Sequence, residues 1–178
     1  MTLTALEPID GEAILPLAKL KQRIRVLSDD EDSDIERMRD EAIDFVERYS
    51  GTALQQRSFA QADNQFCRWI KLLAGPIGEV TAVTYRDTAG AEIALTSTDW
   101  SYGDGYLSAA AGRPWPNASG KPGAVSITFT AGLENAETEA PMLIAAVAVA
   151  VAAMRDNREA PDFTTAMRCA DQFRAPGL

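Results

Sequence analysis

The chain has 178 residues, 46% of them apolar and 24% charged, with a formal net charge of −9 and no histidine. That balance is ordinary for a globular chain large enough to bury its own core. It argues against a protein that grips DNA or an anionic membrane through clustered Lys and Arg, and it excludes Ser/His and Cys/His nucleophile arrangements and any histidine-containing zinc site.

The first residues, "MTLTALEPIDGEAI", lack the basic and apolar regions of a secretion signal. "LPLAKLKQRIRVL" then sets Pro16 at a helix start and spaces Leu17, Leu20, Ile24 and Leu27 at helical intervals. In the next segment Ile35, Met38, Ala42, Phe45, Val46 and Tyr49 form one face of a second helix, with Gly51 as its stop. Between the two, "DDEDSDIERMRDE" places Asp30, Asp32, Asp34, Glu36 and Glu41 in a calcium-loop register. Ile35 stands where that loop needs glycine, and the helix starts there, so the acids read as first-turn carboxylates that complement the helix dipole.

From residue 56 to 130 the pattern becomes short β-type segments: "RWIKLL", "EVTAVTYR" and "AEIAL" flanking "DTAG", and "VSITFT", in which Val125, Ile127 and Phe129 share a face. Trp69 fits a strand face, and Trp115, in the loop "AAGRPWPNASGKPG", is either a plug over the sheet or an interface anchor. "SGKP" lacks the first glycine and the final Ser/Thr of a phosphate loop, and "YGDGY" is a turn without the helix of a dinucleotide site. Asp99 and Asp104 are a carboxylate pair of the type used in acid–base work, although Trp100, Tyr102 and Tyr106 beside them read as sheet residues around a turn. Cys67 and Cys169 lie far apart and form no metal or redox motif, which suits two reduced thiols.

Met142 to Met154 contains no polar side chain. This run falls short of the about 20 residues needed to cross a bilayer, so no membrane contact is expected. Pro141 at its start, Glu137 and Glu139 before it, and Arg155 and Arg158 near its end mark a helix. At about 100° per residue, Leu143, Ile144, Val147, Val151 and Met154 make a bulky stripe, and Ala145, Ala146, Ala148, Ala150, Ala152 and Ala153 fill the rest. The alanine face is either core or contact with neighbouring copies. After Pro161 a shorter helix, "FTTAMRCADQF", leads to a Pro-Gly tail.

The expected fold is α+β within one domain over 1–178: helices in 12–51, a small antiparallel β region in 56–130, helices in 141–173 and a tail at 174–178. The ordered set "LAKLKQRIRVLSDDEDSDIERMRDEAIDFVERYSGTAL", "LLAGPIGEVTAVTYRDTAG", "ITFTAGL", "AP" before an alanine-rich helix, and "RDNRE" resembles the head–tail connector (adaptor) family of long-tailed bacteriophages and related prophage-derived or gene-transfer particles. "ADQFRAPGL" is similar to that family's Pro-Tyr-Arg-type ending, with Phe173 and Arg174 in place of Tyr-Arg.

The resemblance implies a non-enzymatic ring of roughly twelve copies beneath the portal protein, prolonging the DNA channel and receiving a stopper or tail-completion protein. It implies a place at the virion neck after synthesis in the bacterial cytoplasm, passage of DNA without sequence reading, and no cofactor or metal. Candidate contacts with neighbours or portal are Ala145, Ala148, Ala152, Arg155, Arg158, Phe163, Phe173 and Arg174. The alternatives are an oligomeric protein associated with DNA packaging, which needs a basic patch, and a small acid–base enzyme built on Asp99 and Asp104.

Overall fold

A computed structural model describes residues 1–103 and 105–174. The fold is α+β, and the chain gathers into two compact units: Met1–Glu7 with Arg57–Gly132, and Pro8–Gln56 with Leu133–Leu178.

The first unit is made of β-strands. β1 (Thr2–Ala5), β2 (Arg57–Asp63), β4 (Ile77–Arg86), β5 (Glu92–Leu95) and β8 (Val125–Ala131) form a five-stranded antiparallel sheet ordered β1-β2-β8-β4-β5. β3 (Ile70–Lys71), β6 (Trp100–Gly103) and β7 (Tyr106–Ala109) form a second, ordered β3-β7-β6. The alternation in "VSITFTA" sets the register of the central strand: Val125, Ile127, Phe129 and Ala131 are buried, and the residues between them are half-buried. Phe129 faces Phe59 on one side and Val80 on the other, and Ile127 faces Gln61 and Val83. Gln61, fully buried, donates to the Lys71 carbonyl (3.0 Å) and accepts from the Leu73 N–H (3.0 Å), tying the β3 segment to the sheet's buried face. The β4–β5 turn "DTAG" is closed by Asp87, whose Oδ1 accepts from the N–H groups of Ala89 and Ala91.

β1 had no counterpart in the sequence reading, and "RWIKLL" contributes only the two strand residues of β3. Trp69 lies in a bend before β3 and is 58% exposed, so it is not a packed strand residue. The β3 pairing is Ile70 with Leu107, both buried, which puts the neighbouring Trp69 on the opposite, outward side.

The second unit is helical: α1 (Gly11–Ile14), α2 (Leu17–Ile24), α3 (Asp32–Ser50), α4 (Ala136–Glu139), α5 (Pro141–Asp156) and α6 (Thr164–Ala170), the last continued by a 3-10 turn at Asp171–Phe173. α3 follows its apolar periodicity, burying Ile35, Met38, Ala42, Ile43 and Val46, and ends at Gly51, whose left-handed φ of 73° favours glycine. Gly11 is closely approached for a different reason: a Cβ there would meet the Asp40 carboxylate and the Arg39 guanidinium, and Arg39 pairs α3 with Glu12 of α1 (2.6 Å). Glu137 and Glu139 do not simply precede α5 but belong to α4, capped by Asn135, and Glu137 pairs with Lys19 of α2 (2.5 Å).

α5 starts with Pro141 in its first turn and packs against α2, α3, α4 and α6. Its missing wet face therefore has a local cause. Leu143, Ile144, Ala146, Val147, Ala150 and Val151 are completely shielded, because helices lie around most of its circumference. The small Ala146 and Ala150 side chains permit that close approach. No helix among the described residues is long and apolar enough to cross a membrane.

Candidate functional site

All eight candidate contact residues lie in the helical unit, and the structure sorts them into three environments. The first is the alanine face of α5. Ala148 is only 7% exposed and belongs to the core, whereas Ala145 and Ala152 are half-buried. With Met142 (43% exposed) and the half-buried Val149, they make a narrow apolar strip at 142, 145, 149 and 152.

The second environment joins the C-terminal end of α5 to the N-terminal end of α3. Arg155 Nε donates to Glu31 Oε2 (2.9 Å) and Arg158 Nη2 to Asp34 Oδ2 (3.2 Å). The hydrogen bond to Glu31 raises the Arg155 pKa further. The polarity suits both helices, with carboxylates at an N-terminus and guanidinium groups at a C-terminus. Nearby, Lys21 Nζ on α2 reaches Asp29 (2.5 Å) and Asp32 (2.6 Å). Those hydrogen bonds raise the Lys21 pKa against the opposing effect of burial, and Lys21 holds the Asp29 carboxyl below its usual range. The tract "DDEDSD" is thus engaged residue by residue: Asp29, Glu31, Asp32 and Asp34 by basic side chains and Asp30 by the Ser28 hydroxyl. Among the described residues no group of three or more His, Cys, Asp or Glu is arranged to hold a metal ion.

The third environment is the C-terminal segment folded back on α3. The Phe163 ring lies 4.6 Å from Phe45, and Phe45 stacks on Tyr49 at 6.2 Å. The Tyr49 hydroxyl donates to Asp171 Oδ1 (2.5 Å), and the Arg174 guanidinium sits 5.2 Å over the Tyr49 ring. Phe173 is half-buried against the same core. Of the expected tail at 174–178, residues 175–178 lie outside the described residues. The sequence reading missed Tyr49, Phe45 and Asp171 as partners of this segment. The aromatic pair at i and i+4 on α3 was the available signal.

The β unit holds the remaining candidates. Trp115 stacks on Phe66 (4.5 Å, 10° between planes), which meets Tyr85 edge-on, and its Nε1–H donates to the Cys67 carbonyl (2.9 Å). It therefore fastens the Gly/Pro-rich loop to the segment after β2, as a plug. Asp99 accepts from Thr96 through both backbone N–H (2.9 Å) and hydroxyl (2.6 Å), and from Arg113. Thr96 first, then Arg113, keeps its carboxyl below the usual range, the opposite of what a general acid needs. Asp104 lies outside the described residues. The charge is divided sharply. The helical unit carries 11 basic and 19 acidic residues (net −8), and the β unit carries 6 and 7 (net −1).

No protein-family model matches the chain, and no curated protein matches it. Solved structures do. A chain in the virion of the native gene transfer agent particle superposes with a TM-score of 0.79 at 24% identity, covering 100% of this chain and 97% of that one. A chain in the neck of the empty gene transfer agent particle, computed with C6 symmetry, gives 0.79 at 25% identity with the same coverage. A chain in the neck of the native particle, computed with C12 symmetry, gives 0.77 at 23%, again over 100% and 97%. The likeness runs over both units and establishes a shared fold.

Proposed function

We propose that this chain is a structural subunit of the neck of a phage-like particle, acting as the adaptor that joins the capsid portal to the tail. The single observation that carries the reading is full-length likeness to chains of gene transfer agent necks, with almost nothing left over on either side. The connector-like order of sequence motifs supports the same reading independently of the fold. The symmetry of those necks favours a ring of identical copies.

In such a ring the subunit needs no catalytic group. Its work is to present repeated surfaces above and below and to leave a passage for DNA. The concentration of acid on the helical unit suits this. A passage bordered by carboxylates repels phosphate and offers no cation to condense on it, so DNA slides without sticking. The half-exposed strip of α5 and the segment from Phe163 onward are the surfaces we assign to neighbouring copies and to the portal. Stopper or tail-completion proteins would then meet the opposite end of the ring.

Deleting the gene tests the proposal. The expected product is DNA-filled heads without attached tails, restored by supplying the chain in trans. Normal tailed particles in its absence would overturn it.

A further inference from the structure

We infer that the ring closes by sheet-to-sheet pairing: the β5 edge of one copy runs beside the β1 edge of the next, so the five-stranded sheet continues from subunit to subunit. The inference rests on the ring reading above and names the contact that would close it.

A ring of identical copies cannot be built from one self-matching patch; each copy must carry two different surfaces that fit one another. The two ends of the five-stranded sheet are such a pair. Its order, β1-β2-β8-β4-β5, leaves one side of β1 and one side of β5 without a strand partner among the described residues. Both strands are four residues long, and both pair with their inner neighbour in unbroken register. Neither holds a proline, a bulge or an inward-pointing charge, three devices that keep sheet edges from pairing.

The edges match in direction and in face. Every junction in the sheet is antiparallel, so with five strands the first and the last run the same way. In a ring of roughly twelve copies, neighbours are turned by only about 30°, close to the about 20–25° by which adjacent strands already twist. β5 of one copy and β1 of the next therefore meet as a parallel pair with the same side of the sheet facing the core. On that side Leu3 and Ala5 stand opposite the buried Gln61 and Phe59, and Leu95 and Ile93 stand opposite the buried Val83 and the half-buried Tyr85. The core cover runs out at both ends: Leu3 and Leu95 are half-buried, and Ile93 is 37% exposed. Joining the edges brings Leu3 alongside Ile93 and Leu95 and covers all three. Unpaired backbone groups and apolar side chains on one face select the occupant, and charge plays no part.

The two edges bound a single sheet on opposite sides, about 19 Å apart at the usual strand spacing. Two copies exchanging both edges would have to curl ten strands into a closed barrel, whereas a run of copies needs only the twist the sheet already has.

The test uses particles whose neck chain carries Cys67→Ser and Cys169→Ser, with Thr4→Cys and Ala94→Cys introduced together or singly. Both introduced cysteines replace exposed side chains on the outer side of the sheet. A short bis-maleimide added to purified particles should give the double variant a ladder of linked multimers extending past the dimer, and give each single variant none. Within one chain the two thiols lie too far apart to be bridged. A chain present in necks but unlinked in the double variant overturns the contact and leaves the neck reading intact. Linkage that stops at the dimer, dimers from either single variant, or linkage to a different protein also overturns it. Absence of the native chain from purified necks overturns the neck reading, and the contact with it. As a second readout, Ile93→Lys puts a charge on the core side of the β5 edge. It should lower incorporation into necks by roughly tenfold, and Leu3→Glu in the same chain should restore it. Full incorporation of the Ile93→Lys chain contradicts the contact.

Discussion

The phenolic hydroxyl of Tyr49 donates a 2.5 Å hydrogen bond to the carboxylate of Asp171, fastening the last helical turn of the described chain to the side of α3. Arg174 covers the same ring, and Phe163 lies against the neighbouring Phe45, so the C-terminal segment is held at both ends. Tyr49→Phe keeps the ring and removes only the donor. The expected result is faster amide hydrogen exchange over 164–173 with unchanged exchange in the buried face of α3. Equal exchange in the variant and the parent would mean that the aromatic contacts hold the segment alone.

Ala148 and Ala152 separate core from surface on one helix. Ala148 is 7% exposed, so Ala148→Leu must push α5 away from its neighbours and should cost about 1–3 kcal/mol in chemical denaturation. Ala152 is half-buried on the outer strip, and Ala152→Leu should leave isolated-chain stability within about 0.5 kcal/mol while reducing incorporation into particles. Loss of stability in both, with normal incorporation of Ala152→Leu, would place the whole alanine face in the core.

Trp115 fixes a loop with no strand or helix of its own. Trp115→Ala removes the stack on Phe66 and the hydrogen bond to the Cys67 carbonyl. We expect a loss of about 1–2 kcal/mol and new protease cleavage confined to residues 110–123. Cleavage elsewhere in the β unit would show a wider structural role.

Stability should be flat across neutral pH and fall on both sides. With no histidine, no side chain ordinarily titrates between about pH 5 and 8. Lys21 lowers the carboxyl pKa of Asp29, Thr96 and Arg113 that of Asp99, Lys19 that of Glu137 and Thr164 that of Asp162. Their stabilisation is complete above the ordinary values of 3.8 for Asp and 4.5 for Glu, and disappears as pH falls through the lower folded values. Lys21 and Tyr49 are raised above 10.5 and 10.0, chiefly by their hydrogen bonds to Asp29 and Asp171. Their contribution is present below those values and is lost as pH climbs through the higher folded ones. A thermal melting series should show a plateau with an acid limb below about pH 4 and an alkaline limb above about pH 10. A transition near pH 6.5 would contradict this assignment.

The helices and the central strand were legible because their signals are local. The period of Ile35 to Tyr49, the alternation of Val125 to Ala131 and Pro141 at a helix start each need only a short window. β1 was not legible, since "TLTA" has one bulky apolar residue and becomes a strand by pairing with β2 more than fifty residues away. The division of the strands into two sheets depends on register between distant segments, which no local pattern carries. The pairs Glu31–Arg155 and Asp34–Arg158 join residues 124 apart, so the acidic tract could be excused as dipole-complementing but its partners could not be named. The alanine face of α5 posed a harder question, because periodicity says which residues share a face and not what lies against it. The packing of α3 and α6 on α5 put Ala146, Ala148 and Ala150 inside and left Ala145 and Ala152 at the edge.

The central claim, that this chain is a ring-forming neck subunit, is tested most directly by imaging the necks of purified particles from cells that carry its gene. Reconstruction of the segment between capsid and tail should reveal a closed ring of identical subunits, each accommodating both the five-stranded sheet and the α5-centred helical unit. A neck resolved in full with no density of this fold would contradict the account.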